Sequence, residues 1–355
     1  MNTDILIIGG GIAGVSAAAE LSAHASVVLL EDEEGLAHHA SSRSAALYEP
    51  YYGPPPIVEL SLASREGLAG ADVLSPRGIL LVASPSQQGL FAAEADAMHL
   101  SPIDAEEAAA LFPPLDPARV AAAAKGDHAS DIDTDRLVQH YARTARGNGA
   151  TLLTRAPVTA IRRQGGWAVT TPQGEFTAAM LVNAAGPWAD RVAAMAGVTP
   201  LGLRPHRRSM ARIPAPDGMD PAGWPMTMGV GEGWYAKPDA GALIVSPCEA
   251  DPMDPHDAWP DDMVLAEGLA RYEAMTRFPV QRLLSSWAGL RTFAPDGDPV
   301  YGADPDAPDF VWFAGQGGYG FQSAPAAARF IADTVLRRGT DAALARALSP
   351  ARFRA

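Results

Sequence analysis

The hexapeptide Gly9-Gly10-Gly11-Ile12-Ala13-Gly14, set directly after the apolar run at 4–8, constrains the fold of this chain more than any other feature. An almost wholly apolar run of that length suits a parallel strand covered on both faces. Residues 12–24 are alanine-rich and favour a helix, and 26–31 form a second apolar run that ends in Glu31. The order is therefore strand, glycine turn, helix, strand, with the spacing G-x-G-x-x-G across the turn. Gly9 permits the tight turn, Gly11 lets a pyrophosphate approach the backbone, and Gly14 lets the helix pack closely on the strand. The helix N-terminus, opening at Ile12 and Ala13, then offers free N–H groups and the positive end of its dipole to phosphate. Glu31 lies 20 residues past Gly11, where a carboxylate accepts hydrogen bonds from a ribose diol. Nicotinamide and flavin dinucleotides share this fingerprint, so the unit alone leaves both open.

The rest of the chain separates them. Residues 47–126 change character, with a tyrosine- and proline-rich stretch before helical segments and a strand at 78–83. A helix at 135–148 opening at Thr134 follows, then short strands at 151–153, 158–162 and 167–171. The run at 179–186 is another buried strand entering a glycine turn. Between 201 and 284, strands such as 208–213 and 242–246 alternate with many prolines, and 310–337 repeats strand, glycine turn and helix. This pattern predicts an α/β protein in which a discontinuous Rossmann-like FAD-binding domain (1–46, 130–200, 285–355) is interleaved with an α+β substrate domain (47–129, 201–284) on an antiparallel or mixed sheet. Three glycine turns returning to one site favour a long, enclosed flavin dinucleotide over a nicotinamide.

Composition limits the partners. A formal charge of −14 opposes a nucleic-acid role, so an anionic ligand requires local, buried cations. The single cysteine, Cys248, forms no internal disulfide and anchors no cysteine-rich metal site, which points to a reducing cytoplasm and no metal. The apolar start lacks a basic n-region and is cut by glycines and Glu20, so neither a signal peptide nor an integral membrane segment is expected. Peripheral contact with the inner membrane stays open.

Several motifs recur in order: Ser42-Arg-Ser-Ala-Ala46 with Tyr52-Gly53, Leu74-Ser-Pro-Arg77, Asp131-Ile-Asp-Thr-Asp135, Leu181-Val-Asn-Ala-Ala-Gly186, residues 205–209, Trp287-Ala-Gly-Leu-Arg291 and Gln316-Gly-Gly-Tyr-Gly320. With these the chain resembles the D-amino-acid-oxidase-like (DAO) family of FAD-dependent oxidoreductases, and within it the D-arginine dehydrogenases. The resemblance implies non-covalent FAD in a two-domain fold, and hydride transfer from the Cα of a D-amino acid to flavin N5, giving an imino acid that hydrolyses to a 2-oxo acid and ammonia. It places Ser41, Ser42, Arg43, Ser44, Ala45 and Ala46 along the phosphates and flavin, and the Val158 backbone at the adenine. Ala185, Gly186 and Trp188 form a further piece of the cofactor site. Gly317, Gly318, Tyr319, Gly320 and Phe321 turn around the flavin pyrimidine, beside Gln322 and Arg291. Arg208 and Arg291 match arginines that grip the substrate carboxylate, Tyr52 and Tyr235 match tyrosines around the substrate, and Gln322 with the Gly318 carbonyl matches groups near its amine.

A guanidinium fork suits a carboxylate and keeps its charge where water is excluded. Strand alternation allows one of Arg207 and Arg208 to face inward, and the resemblance selects Arg208. For Arg291 the competing role is a structural ion pair with Asp296. Two departures bear on the substrate. Ile79 stands where the arginine enzymes carry a glutamate against the basic side chain, and Leu47 replaces a histidine. A guanidinium beside Ile79 would lack a counter-charge, so a neutral or apolar D-amino acid is expected, although Glu49 could restore an acid to the pocket. His206 is a weak candidate base. A glycine or sarcosine-type oxidase, a non-catalytic flavoprotein and a nicotinamide dehydrogenase remain as alternatives. The electron acceptor is open among a quinone, another carrier and O2.

Overall fold

The computed structural model describes residues 1–354. Its first sheet is organised around the strand Asn2–Ile8, which pairs in parallel with Val27–Leu30 on one side and with residues 177–183 of Gly174–Asn183 on the other. Thr151–Leu153 and Phe310–Ala314 continue the parallel arrangement outward. Alternation along these strands divides their side chains between two cores. Ile5, Ile7, Val27, Leu29, Val311 and Phe313 pack under the helices Ile12–Ser22, Thr134–Gly147 and Gly320–Val335. Leu6, Ile8, Val28, Leu30, Phe310 and Trp312 face the opposite layer, which contains Trp167, Val169 and Ala189. Each such buried aliphatic side chain contributes about 1.5–3 kcal/mol relative to exposure, so the uninterrupted apolar runs are what place these strands at the centre.

The long helix after residue 132 starts where the sequence placed it, but its cap is Asp133, whose carboxylate accepts from Arg136 N at 2.9 Å. Thr134 is its first helical residue.

A second, nine-stranded sheet is built mainly from the segments expected to form the substrate domain. It is mixed: Met226–Gly229 runs parallel to Ile79–Ala83, and the neighbouring pairs are antiparallel. Its longest ladder joins Arg204–Pro214 to Ser285–Phe293, with register from Arg204↔Phe293 to Arg212↔Ser285. The sequence reading had grouped 285–293 with the cofactor domain. Backbone pairing puts this segment in the substrate sheet, so the chain returns to the first sheet only at Val300–Ala303 and Phe310–Ala314. Similarly, Ser130–Ile132 pairs with Leu47–Tyr48 and Leu74–Pro76 in a small third sheet. The junction is pinned by Asp131, which receives Arg77 Nε and Lys237 Nζ, each at 2.8 Å. Pairing both cations with one carboxylate is what makes their burial tolerable. Among the described residues no helix is long and apolar enough to cross a membrane.

Candidate active site

One continuous cavity of about 450 Å³ runs between the two large sheets. At its cofactor end the glycine turn is enforced by contact. A methyl group on Gly9, which has φ +107°, would overlap the Ala184 carbonyl, and one on Gly14 would overlap the Gly9 carbonyl. Gly14 itself does not line the cavity; it lets the helix seat on the strand. The Ile12 N–H points out of the helix start and donates to Ser41 Oγ at 3.0 Å. The Glu31 carboxylate accepts from Gly10 N through one oxygen and from Glu33 N at 2.9 Å through the other. These donors and this acid are the elements a pyrophosphate and a ribose require. Ala185, Gly186, Trp188 and Val158 border the same space, and the His39 ring rests on Trp188 at 4.6 Å between centroids.

Of the serine-rich turn, Ser41, Arg43, Ser44, Ala45 and Ala46 line the cavity. Ser42 does not: it is exposed, and its hydroxyl donates to the carbonyls of His38 and His39, closing the Ala40–Arg43 turn from outside. Tyr319 also lies off the cavity wall, its ring set against Tyr52 at 5.3 Å, while Gly317, Gly318, Gly320, Phe321 and Gln322 line it.

At the substrate end, strand register brings the two arginines together. In the ladder His206 faces Arg291 and Arg208 faces Gly289, so Arg208 and Arg291 are diagonal neighbours on one face of the sheet. Gly289 adds no side chain between them. Arg207 points the other way, to Asp251 at 2.8 Å. Asp296 pairs with Arg352, not with Arg291. Among the described residues Arg291 has no hydrogen-bonded partner, and its guanidinium lies over Gly318, where a methyl group would come within 2.9 Å of Cζ. Arg208 is buried, keeps Nε unpaired, and donates from Nη2 to Glu232 Oε2 at 3.2 Å.

Two tyrosines complete this end. Tyr52 donates its phenol to Glu232 Oε1 at 2.8 Å, and Tyr235 donates to Met210 Sδ at 2.9 Å. Burial raises both phenols above their ordinary range, Tyr235 up to about 12, with Arg291 pulling the other way. Burial likewise pushes the Cys248 thiol up to about 11. Burial disfavours charge on Arg291, but Tyr52, Tyr235 and Cys248 in their ionised forms, together with the Glu232 carboxylate, hold the guanidinium above its usual value. Burial would raise Glu232, yet Arg208 and the Tyr52 hydrogen bond bring it below the usual carboxylate range.

Gln322 borders the cavity, but its amide donates to the Tyr52 carbonyl at 2.9 Å and to Ser61 Oγ at 3.0 Å. It ties down the loop that carries Tyr52. His206 is outside the cavity, packed edge-on to Phe293 at 5.5 Å, and burial lowers its pKa. That placement removes it as the base. Leu47 and Ile79 stand in the wall as expected, joined by Met210, Met226 and Met228. These methionines and Glu232 were not anticipated. The run Gly229-Val-Gly-Glu-Gly233 just before Tyr235 was the available signal, since a glycine-rich turn there hangs an acid over the pocket.

Residues 4–334 match the FAD dependent oxidoreductase family, DAO. The chain belongs to that family. FAD is accordingly its cofactor, and the glycine cradle, the helix N-terminus beside Ser41, and Glu31 are suited to it. The sarcosine oxidase subunit beta of Rhizobium meliloti is 27% identical over 379 residues, covering 99% of this chain and 88% of that protein. D-erythritol 1-phosphate dehydrogenase of Brucella abortus is 33% identical over 218 residues, 52% of this chain, and the match spans 41% of that protein's length. The glycine oxidase of Geobacillus kaustophilus shares the fold, with a TM-score of 0.81 at 24% sequence identity over 96% of each chain.

Proposed function

We propose that this FAD-dependent oxidoreductase oxidises the Cα–N bond of an α-amino acid of D configuration, with a neutral, largely apolar side chain, to the imino acid. Water then converts the imino acid to the 2-oxo acid and ammonia. The observation that carries the reading is the pair Arg208 and Arg291 on one sheet face beside the 317–318 turn, with Arg291 lacking any partner among the described residues. The carboxylate already lying against Arg208 is that of Glu232, which is the chemistry the pair is built to receive. FAD, bound non-covalently in the cleft, supplies the acceptor for the two electrons that leave the substrate carbon as a hydride.

The chain's own residues do the aiming. Two guanidinium groups fix the carboxylate and hence the orientation of Cα. Tyr52 and Tyr235 are kept protonated at neutral pH and so do not act as bases there; each would turn its single O–H from Glu232 or Met210 to the bound acid. The substrate amine therefore reacts in its neutral form, losing its proton to water. Ile79, Leu47 and the three methionines form an apolar wall for the side chain.

A second reading, oxidation of glycine, sarcosine or another secondary-amine acid, is favoured by the full-length likeness to a sarcosine oxidase subunit. The arginine pair reads the carboxylate and is indifferent to substitution on nitrogen. Anaerobic mixing of the yellow protein with D-amino acids, L-amino acids, glycine and N-methyl amino acids separates the two. Flavin bleaching fastest with D-amino acids whose side chains are neutral and largely apolar is the expected result; bleaching only by N-methyl acids or glycine would replace the first reading with the second.

A further inference from the structure

Glu49 is 2% exposed and lines the cavity, yet it belongs to no part of the arrangement just described. It follows the short strand Leu47–Tyr48, and alternation explains its direction. Tyr48 turns into the cofactor-domain core, its phenol donating to the Ser61 carbonyl, whereas Leu47 and Glu49 both reach the cavity. One carboxylate oxygen, Oε1, accepts from His128 Nε2 at 2.9 Å and from Tyr51 N at 3.2 Å. The other, Oε2, is shielded from solvent and has no hydrogen-bond partner among the described residues. Neither Arg208 nor Arg291 forms an ion pair with it there. A buried acceptor left without a partner is costly and calls for an explanation, and this one belongs to a side chain that lines the cavity. Ile79, Met210, Met226 and Met228 in the same wall offer no donor.

We propose that Glu49 selects the substrate's side chain, accepting at Oε2 a hydrogen bond from an N–H or O–H group at the end of an otherwise apolar chain. This rests on the reading that the cavity holds an α-amino acid by its carboxylate. The methionine and isoleucine wall takes the hydrocarbon body, and the acid takes the tip. A wholly hydrocarbon side chain would leave Oε2 unpaired and is disfavoured for that reason. His128 holds the carboxylate in place from behind.

Binding can be read without turnover, from the perturbation of flavin absorbance in the FAD-loaded protein by carboxylic acids that lack the amine. Two pairs serve as probes: phenylpropionate against its para-hydroxyl derivative, and hexanoate against its terminal-hydroxyl derivative. In the native protein the donor-bearing member of at least one pair binds about tenfold more tightly. Glu49→Leu abolishes or reverses that preference. Should Glu49→Leu fail to retain flavin, Glu49→Gln carries the test through a reduced preference for the hydroxyl derivatives. Equal binding of both members in the native protein, or an unchanged preference in the variant, overturns the assignment. Bleaching by D-amino acids is measured separately. A Glu49-dependent preference without bleaching would support the subsite and overturn the oxidation reading; bleaching without a preference would do the reverse.

Discussion

At the scale of single residues, the arginine pair carries the strongest expectation. Arg291 has no structural ion pair to lose among the described residues, so on the proposed reading its replacement acts chiefly on the bound carboxylate. Arg291→Ala should raise the substrate concentration for half-maximal flavin reduction by about 10–150-fold, the equivalent of about 1.5–3 kcal/mol for charge-assisted hydrogen bonds. Rapid-mixing titration checks this, and an unchanged value removes the carboxylate role. The tyrosines give a second expectation. Because burial holds Tyr52 and Tyr235 protonated well beyond neutral pH, on the proposed reading the ionisation expected to limit kcat/KM is that of the substrate amine. Its value should rise with pH and level off above the amine pKa, and Tyr235→Phe should leave that limb in place. Loss of the limb in the variant would make Tyr235 the base. The inward choice of Arg208 over Arg207 could be reached from sequence only through resemblance, since alternation allows either until the register is known. Glu232 was illegible because its partners, Tyr52 and Arg208, lie 180 and 24 residues away.

At the scale of elements, the glycine turn and the strands around it were legible because each signal is local. A closed apolar run, a glycine at each tight contact and an alanine-rich helix all lie within the first 31 residues. Gly14→Ala tests the tightest of these contacts. Its new methyl would overlap the Gly9 carbonyl, and the helix must move off the strand to admit it. We expect a loss of about 1–3 kcal/mol in stability and a lower flavin content per protein. A variant with native flavin content and an unchanged denaturation midpoint would show that the contact can relax. The ladder between Arg204–Pro214 and Ser285–Phe293 shows where local signals end. The first is recognisable in part, at 208–213, while the second is grouped by its position in the chain with the FAD-binding domain, and nothing within either says that they pair.

At the scale of the molecule, burial of several phenols sets an upper pH limit. Tyr52, Tyr141, Tyr235, Tyr272 and Tyr301 all have pKa values raised chiefly by burial. A raised value means that the folded state holds its protons while the unfolded chain releases them, so this stability is complete below the ordinary tyrosine pKa of about 10. It should decline from about pH 10 upward, and denaturation midpoints measured from neutral to alkaline pH check the sign. Stability that rises over that interval would contradict the assignment. The cavity lies between two sheets that the chain enters alternately, so cofactor and substrate regions are assembled from segments distant in sequence. The sequence by itself determined the dinucleotide cradle and the interleaved α/β architecture, because periodicity and glycine spacing are properties of neighbouring residues, whereas the choice of Arg208 and Arg291 came through resemblance. Only the tertiary structure decided that Arg208 and Arg291 share a face, that Ser42, Tyr319 and His206 lie off the cavity wall, and that Glu232 and Glu49 belong to that wall. Those facts depend on strand register and on the packing of one sheet against another, and neither is written in any local stretch of the chain.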